Sequence, residues 1–329
     1  MGYKIHSFNI SNKKSKKIKL ISNTGKLLKT YDVPNFDNCY IKTQDTIGNI
    51  SNYIINGVLY SYFDNHKIVD NTGICTSCCN ISKVSGAKLF YIKNNQLWLN
   101  NYGKTTKSKK EDGYIKVTGG GNSDTNKTLG LMSNGNIVSF DGVWKDCTDA
   151  HFIDIFGTVG YNRWHQNGYM LDINNNLYKC QRETLGLNVR KLASNVKYGI
   201  CYSYNPITGS SSGRGSEYST IKLDDVWYLN NVSTGLKVKE ITIRPRIGYA
   251  IGIDGNLYYT TFDDNSPVIL QSGKWNSLAI TNENKVFSIL NNKVYLINSD
   301  GVMEIQDHLG NGCKKLEGSN NLFLVYCEE

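Results

Sequence analysis

The amino-acid sequence predicts an all-β protein, a single β-propeller domain over residues 1–329, and three observations lead to that prediction. A pattern of apolar strand, tight Asn/Asp/Gly turn and second strand with an aromatic residue recurs about every 40 residues. Tyr (22 residues) and Gly (31 residues) are abundant, and they favour strands and tight turns respectively. No amphipathic helix of convincing length interrupts the series, which argues against α/β and α-solenoid folds.

The repeated hairpins can be followed in order along the chain. The copies are KIKLISNTGKLLKTY (17–31), YIINGVLYSYFD (53–64), LFYIKNNQLWLNN (89–101), LGLMSNGNIVSFDG (129–142), GYMLDINNNLYKC (168–180), YSTIKLDDVWYLNN (218–231), GYAIGIDGNLYYTT (248–261), SLAITNENKVFSIL (277–290) and VYLINSDGVMEIQ (294–306). Their turns carry Asn, Asp and Gly, the residues that reach positive φ at least cost. A lone hairpin is marginally stable in water, so these units are expected to stack radially.

The copies at 129–142 and 248–261 resemble the repeats of the regulator of chromosome condensation type, and the resemblance covers roughly residues 40–306. The His-Ser/Thr pair of that family is absent, since Thr128 and Tyr249 stand at the matching positions, and its closing Trp-Gly survives only as Phe140-Asp141-Gly142. The resemblance implies a propeller that serves as an interaction platform. It does not imply that this chain has the exchange activity that some members of the family have towards small GTPases.

The number of blades and the closure of the ring follow from the chain length and its two ends. Division of 329 residues into repeats of about 47 favours seven blades of three to four antiparallel strands, with six and eight left open. The segment CKKLEGSNNLFLVYC (313–327) has only the first half of a repeat, whereas the hairpin at 17–31 is surplus. We therefore expect one composite closing blade, made from about 1–31 and 312–329.

The cysteines and the N-terminal segment bear on the compartment. Nine cysteines, an odd number, lie mostly in apolar strand-like runs, which predicts buried reduced thiols. The opening MGYKIHSFNISNKKSKKIKL contains a basic run where a signal peptide would need an apolar one, and no window is apolar enough for a membrane helix. Cytoplasmic synthesis is expected, with a virion as a possible destination.

The motifs that suggest a metal site are incomplete. Cys75, Cys78 and Cys79 have the spacing of a zinc knuckle, but a second Cys-x-x-Cys is missing. Asp172, Asn174 and Asn176 alternate like a calcium loop, yet Leu177 occupies the position that requires Gly, and the segment aligns with the hairpin turns. No metal and no cofactor are predicted.

Catalytic motifs are missing as well. Residues 119–121 are three glycines without the Lys and Ser/Thr of a phosphate loop, and no Gly-x-Ser-x-Gly segment accompanies the five histidines. No catalytic residues are predicted, so the chain is expected not to be an enzyme. A carboxylate pair contributed by two different blades is the alternative that the sequence leaves open.

Two loops exceed what the scaffold needs, and they supply the candidate binding residues. The segment GYNRWHQNGY (160–169) contains an aromatic and basic group typical of a protein hot spot or a sugar-stacking platform, and ITGSSSGRGSEY (207–218) is a polar insertion. The candidates are Arg163, Trp164, His165, Trp144 and Arg214. An inward-packed Trp164 and a mobile linker at 207–218 are the alternatives.

The formal net charge of +9 is concentrated in two lysine clusters. The basic patches comprise Lys13, Lys14, Lys16 and Lys17, with Lys19 beside them, and Lys104, Lys107, Lys109 and Lys110. Neither contains interleaved aromatic residues, so nucleic acid is disfavoured as a partner.

The function favoured by these observations is a non-enzymatic binding propeller whose partner is a protein or a surface glycan. The Lys/Asn/Ile/Tyr bias is typical of an AT-rich genome and suggests a structural or host-recognition protein of a phage virion or tail, with other virion proteins as partners. One alternative is a glycan-binding or glycan-cleaving propeller. Another is a cytosolic regulator associated with nucleic acid or protein.

Overall fold

The computed structural model is built almost entirely of β-strands. It describes residues 15–36, 40–44, 50–56, 58–63, 68–70, 80–84, 88–101, 104–108, 113–118, 129–139, 150–159, 167–183, 186–204, 215–244, 246–281, 283–320 and 322–329. In these ranges the one helical element is a 3-10 turn at Asp307–Leu309. The predicted all-β propeller fold is confirmed.

Within the described ranges the strands form eight groups of three or four, which we call blades 1 to 8. Blade 1 contains β3 (Tyr40–Gln44), β4 (Ile50–Ile55), β5 (Val58–Phe63) and β6 (Ile68–Asp70); blade 2 contains β7 (Asn80–Val84), β8 (Lys88–Lys93), β9 (Gln96–Asn101) and β10 (Lys104–Lys107); and blade 3 contains β11 (Tyr114–Thr118), β12 (Leu129–Met132) and β13 (Ile137–Ser139). Blade 4 contains β14 (Phe152–Val159), β15 (Asn167–Asp172), β16 (Leu177–Glu183) and β17 (Gly186–Ala193); blade 5 contains β18 (Val196–Tyr204), β19 (Gly215–Lys222), β20 (Val226–Leu229) and the first half of β21 (Val232–Arg244); and blade 6 contains the second half of β21, β22 (Ile247–Gly252), β23 (Leu257–Thr261) and β24 (Val268–Gln271). Blade 7 contains β25 (Asn276–Thr281), β26 (Val286–Leu290), β27 (Lys293–Ile297) and β28 (Met303–Ile305), and blade 8 contains β29 (Cys313–Asn320), β30 (Leu322–Glu328), β1 (Lys16–Ser22) and β2 (Leu27–Val33).

The first strands of the blades line the centre of a closed ring. Each contacts the first strand of the next blade, and β29 of blade 8 contacts β3 of blade 1. In the described residues the ring thus contains eight blades, a number that the repeat spacing left open beside the favoured seven. The difference from seven arises because a repeat occupies about 40 residues and not about 47. The nine hairpin copies make eight blades because those at 277–290 and 294–306 are two halves of one blade.

The ring closes through the two terminal segments, as predicted. Strand β1 pairs with β2 on one side and with β30 on the other, in unbroken antiparallel register from Lys16 opposite Glu328 to Ser22 opposite Leu322. Ile18 and Leu20 of β1 are fully buried against Leu324 of β30. The closing blade consists of residues 16–33 and 313–328, whereas residues 1–14 lie outside the described part of the chain.

A repeated backbone hydrogen bond joins neighbouring blades and explains the turn residues. In each case a carbonyl in the turn between the second and third strands accepts the N–H that opens the next blade. The acceptors and donors are Asn95 and Tyr114 (2.8 Å), Gly135 and Phe152 (3.0 Å), Asn175 and Val196 (2.8 Å), Asp225 and Val238 (2.9 Å), Gly255 and Trp275 (2.9 Å), and Asn292 and Cys313 (3.0 Å). All six acceptors have positive φ. Asn, Asp and Gly therefore recur because a left-handed backbone aims the carbonyl at the neighbouring blade.

The prediction of reduced thiols is wrong for two cysteines of the closing blade. Cys313 and Cys327 lie opposite each other on β29 and β30, are fully buried, and form a disulfide. The apolar run around Cys327 correctly indicated burial of that residue, whereas Cys313 lies between Gly312 and two lysines. Their pairing depends on the strand register, which local sequence does not reveal.

Candidate binding surface

One face of the ring, which we call the turn face, carries the turns between second and third strands together with the starts of the first strands. Neighbouring first strands run parallel, as Ile280 and Thr281 of β25 do beside Ser319 and Asn320 of β29. Because each blade repeats the same antiparallel order, equivalent turns lie on the same face. The turn face is therefore assembled from the same structural position in successive blades.

Three of these turns present an aliphatic side chain to solvent. Ile173, Leu223 and Ile253 occupy the same position in blades 4, 5 and 6, and their exposed fractions are 59%, 53% and 62%. Their N–H groups donate to the carbonyls of His151 (2.9 Å), Asn195 (2.9 Å) and Lys237 (3.1 Å) at the approach to the first strand of the same blade. These bonds fix the turns while the side chains point outward.

The starts of the first strands extend this apolar surface. Register shifts between Phe152 and Asp154 in β14, and between Val196 and Tyr198 in β18, mark β-bulges beside the turns. The bulges leave Ile153 and Tyr198 about half exposed. We call Ile153, Ile173, Tyr198, Leu223 and Ile253 together the apolar arc.

Acidic side chains in the turns of the arc hold these turns in shape. The Asp172 carboxylate is buried and accepts the N–H groups of Asn174 (2.9 Å) and Asn176 (2.7 Å) through the same oxygen. Asp254 does the same for Asn256 (3.0 Å), and a hydrogen bond from the Tyr258 hydroxyl holds the pKa of Asp254 below its ordinary value. The Asp172 segment is thus a hairpin turn, as the repeat alignment predicted.

Exposed lysines surround the arc, and we call Lys191, Lys197, Lys237, Lys239 and Lys274 the basic rim. Lys197 forms an ion pair with Asp225 at 2.6 Å. Lys239 and Lys274 are anchored by backbone carbonyls, of Trp275 at 2.9 Å and of Asp254 at 3.1 Å. The surface therefore combines an aliphatic centre with ammonium groups at its border.

A polar chain at the start of the first strands joins blades 6, 7 and 8. The Glu240 carboxylate accepts the N–H of Leu278 at 2.9 Å. The Ser277 hydroxyl donates to the carbonyl of Leu316 at 3.1 Å and accepts the Leu316 N–H at 3.0 Å. Burial raises the pKa of Glu240, and the hydrogen bond from the Leu278 N–H opposes that effect.

Substitutions of Glu240 should separate two contributions to stability: the hydrogen bond that its carboxylate accepts and the ionisation of its carboxyl group. We expect Glu240→Ala to cost about 1–3 kcal/mol, because it leaves the Leu278 N–H without an acceptor, whereas Glu240→Gln keeps an acceptor oxygen. Because the folded pKa is raised, the stabilisation linked to Glu240 is complete below the unfolded pKa and is lost as pH rises through the folded pKa. Urea unfolding from pH 4 to pH 8 should show the wild type losing stability relative to Glu240→Gln as pH rises. Parallel pH profiles for these two proteins would contradict this linkage.

Most of the sequence-predicted site residues lie outside the described part of the chain. These residues are Arg163, Trp164, His165, Trp144, Arg214, Lys13, Lys14, Lys109 and Lys110. Lys107 is exposed at the end of β10, the strand that Lys104 begins. The structure thus leaves the two candidate loops as predictions.

The described lysines of the first cluster stabilise the closing blade. Lys17 pairs with Glu329 at 2.7 Å, and Lys16 lies over the Phe36 ring at 5.6 Å. Lys19 is nearly buried and donates to Glu329 and to the Leu309 carbonyl. Hydrogen bonds from Lys17 and Lys19 hold the pKa of Glu329 below its ordinary value.

The apolar arc was missed by sequence reasoning, which searched the loops for charged and aromatic residues. Alignment of the turns would have revealed it, because Ile173, Leu223 and Ile253 occupy the position that holds Ser133 in blade 3. Within the described residues no group of three or more His, Cys, Asp or Glu side chains could hold a metal ion. No helix found in the same ranges is long and apolar enough to cross a membrane.

Comparison with known proteins identifies the fold. No family model matches the sequence, and no curated protein matches it either. Similar solved structures include the computationally designed Ika8 protein (TM-score 0.56, 10% identity, 89% of this chain and 97% of that chain). AztD from Citrobacter koseri (0.52, 11%, 88% and 94%) and yeast RCC1 (Prp20) bound to Kap60 (0.51, 10%, 100% and 95%) are also similar. At these identities the likeness shows the β-propeller fold alone.

Proposed function

We propose that this chain is a non-catalytic binding propeller whose turn face docks another protein. The observation that supports this most directly is the exposure of Ile173, Leu223 and Ile253 at one position of three consecutive blades. Single exposed aliphatic residues are ordinary on protein surfaces. A row of them on hydrogen-bonded turns offers apolar area that a partner can bury without reordering the backbone.

The chemistry of the arc favours a protein over the other partner classes. Sugars and unpaired bases stack on aromatic rings, and the arc has one aromatic side chain, Tyr198, among four isoleucine and leucine residues. The basic rim would complement carboxylates at the border of an apolar patch on the partner. Yeast RCC1, which has a similar fold, was solved bound to the protein Kap60.

Replacement of the three exposed aliphatic side chains of the turns should abolish partner binding without unfolding the protein. The variant Ile173→Ser/Leu223→Ser/Ile253→Ser carries in blades 4 to 6 the residue type that blade 3 has at this position, Ser133. The measurement is quantitative mass spectrometry of proteins retained from the source-cell extract by immobilised wild-type and variant chains. We expect at least one protein to be retained by the wild type and depleted 10-fold or more with the variant.

The control changes two other exposed aliphatic residues, which lie away from the turn face. Leu27→Ser/Val232→Ser removes two such residues, one in β2 and one at the start of β21. It should retain the same proteins as the wild type. Equal retention by all three chains would contradict the assignment of the arc. Retention that depends on nuclease or glycosidase treatment would favour the nucleic-acid or glycan alternative.

We further propose, from the AT-rich compositional bias, that the protein is a component of a phage particle. Proteomics of purified particles should then detect this chain at a fixed ratio to the tail proteins, and neighbouring genes should encode tail or baseplate proteins. Neighbouring chromosomal housekeeping genes would contradict the proposal.

A further inference from the structure

The outermost strands of blades 6 and 7 carry a second apolar surface. Val268 and Ile269 of β24 are about half exposed, as is Val302 before β28. Met303 and Ile305 of β28 have exposed fractions of 44% and 39%. Both strands are the outermost of their blades. We call these five residues the apolar edge.

The two parts of this edge form a continuous surface. The side-chain amide of Gln271 in β24 donates to the carbonyl of Gly301 in the turn before β28 at 2.6 Å. A Cβ atom on Gly301 would lie 3.2 Å from the Leu270 carbonyl oxygen, so the turn rests directly on β24. Blades 6 and 7 therefore present their outer strands side by side.

Strand β28 has an open row of backbone groups. The Gln306 N–H donates inward to Val294 at 2.9 Å, and the Val302 carbonyl accepts from Asn298 at 2.9 Å. In an antiparallel ladder the residues between them alternate in direction. The N–H and C=O groups of Met303 and Ile305 consequently point away from the sheet, where an added strand could pair with them.

The outer strands of several other blades carry basic residues that this edge lacks, whereas β6 (IVD) and β13 (IVS) resemble this edge in having none. Lys104 and Lys107 lie on β10, Arg190 and Lys191 on β17, and Lys29 on β2. Charged residues, lysine above all, block edge-to-edge pairing in natural sheets. Strands β24 (VILQ) and β28 (MEI) contain no Lys or Arg.

The charge around the apolar edge is opposite to that of the whole chain. Residues 247–273 and 294–313 contain no Lys or Arg, although the formal net charge is +9. Five carboxylates in these two segments are exposed in the outer parts of blades 6 and 7: Asp263, Asp264, Asp300, Glu304 and Asp307. Lys293 approaches Asp307 at 3.3 Å, and both remain partly exposed. The edge is thus apolar and acidic.

We infer that blade 7 accepts a basic extended segment of a partner protein as a fifth strand beside β28. The open backbone groups of Met303 and Ile305 supply the hydrogen bonds, as in other cases of strand addition. Alternate apolar residues of the segment pack on the apolar edge, and its Lys or Arg residues face the carboxylates around it. This site is separate from the apolar arc and does not depend on the function proposed for it.

A short alternating peptide tests the inference. The probe is a fluorescein-labelled peptide of sequence KVKVKVK with blocked ends, titrated with the full chain and followed by fluorescence anisotropy. We expect saturable binding that Met303→Lys/Ile305→Lys weakens at least 10-fold, because both changes place lysine on the edge. Ile115→Lys/Val232→Lys adds the same charge at comparably exposed positions in blades 3 and 5 and should leave the affinity unchanged. Thermal unfolding establishes that both variants are folded.

Two further peptides separate strand pairing from general charge attraction. An N-methylated KVKVKVK keeps every side chain but cannot donate backbone hydrogen bonds, so it should bind at least 10-fold more weakly. EVEVEVE should not bind. Equal binding of the N-methylated peptide, or equal binding by the edge variant, would overturn the inference. Concentration-dependent dimerisation of the wild type that the edge variant abolishes would overturn it too, because the occupant would then be a second copy of this chain.

Discussion

Deletion of residues 1–33 should leave a chain that no longer folds cooperatively. The deletion removes β1 and β2, and with them three fully buried side chains, Ile18, Leu20 and Ile21. Burial of each contributes about 1.5–3 kcal/mol, and the total stability of a domain is only about 5–15 kcal/mol. The loss of the whole β1 ladder adds to this cost, because it exposes the backbone of β30.

Circular dichroism during heating is the measurement, and two further experiments make it more specific. Deletion of residues 1–14 keeps every described contact of the closing blade and should leave the melting temperature unchanged. A synthetic hairpin of residues 15–33, added to the longer truncation, should restore a cooperative transition. A longer truncation that melts like the full chain would show that β1 does not close the ring.

Replacement of Trp227 by Ala should be the most destabilising single substitution among those considered, at about 3–5 kcal/mol. Trp227 in blade 5 is fully buried, and its indole N–H donates to the Ser219 hydroxyl at 2.7 Å. The ring also fills the space above Gly248 of blade 6, where a Cβ would lie 2.8 Å from the ring. The Ala variant therefore leaves a cavity between two blades.

Guanidinium unfolding gives the free energy, with two variants for comparison. Trp227→Phe keeps part of the ring volume but loses the hydrogen bond, so we expect an intermediate cost. Val232→Ala, at an exposed position of β21, should change stability by less than about 0.5 kcal/mol. A Trp227→Ala cost equal to that of Val232→Ala would contradict the packing described for blades 5 and 6.

The propeller and its closure could be predicted because they depend on local patterns. Positive φ at the turns restricts the sequence to Asn, Asp and Gly, and such turns recur in every clear copy. The number of blades was harder to predict from the sequence, because SLAITNENKVFSIL (277–290) and VYLINSDGVMEIQ (294–306) each have the form of a complete hairpin. Only the pairing of β26 with β27 shows that they belong to one blade.

The candidate site was less accessible from the sequence because its residues act through distant partners. Lys17 belongs to a basic run, but Glu329 lies 312 residues away and is reached only through the β1–β30 pairing. The aliphatic residues of the apolar arc look like core residues, since Ile and Leu are usually buried. Their exposure follows from the hydrogen-bonded turn geometry, which places the side chain outside the strand.

Strand β21 fixes the relative position of two turns of the apolar arc. It runs without interruption from the outer edge of blade 5 to the centre of blade 6, so both blades belong to one seven-stranded sheet. Rotation of either blade against the other would break this strand. Leu223 and Ile253 are thus held at a fixed spacing before any partner arrives, and association forfeits little conformational entropy on this side of the interface.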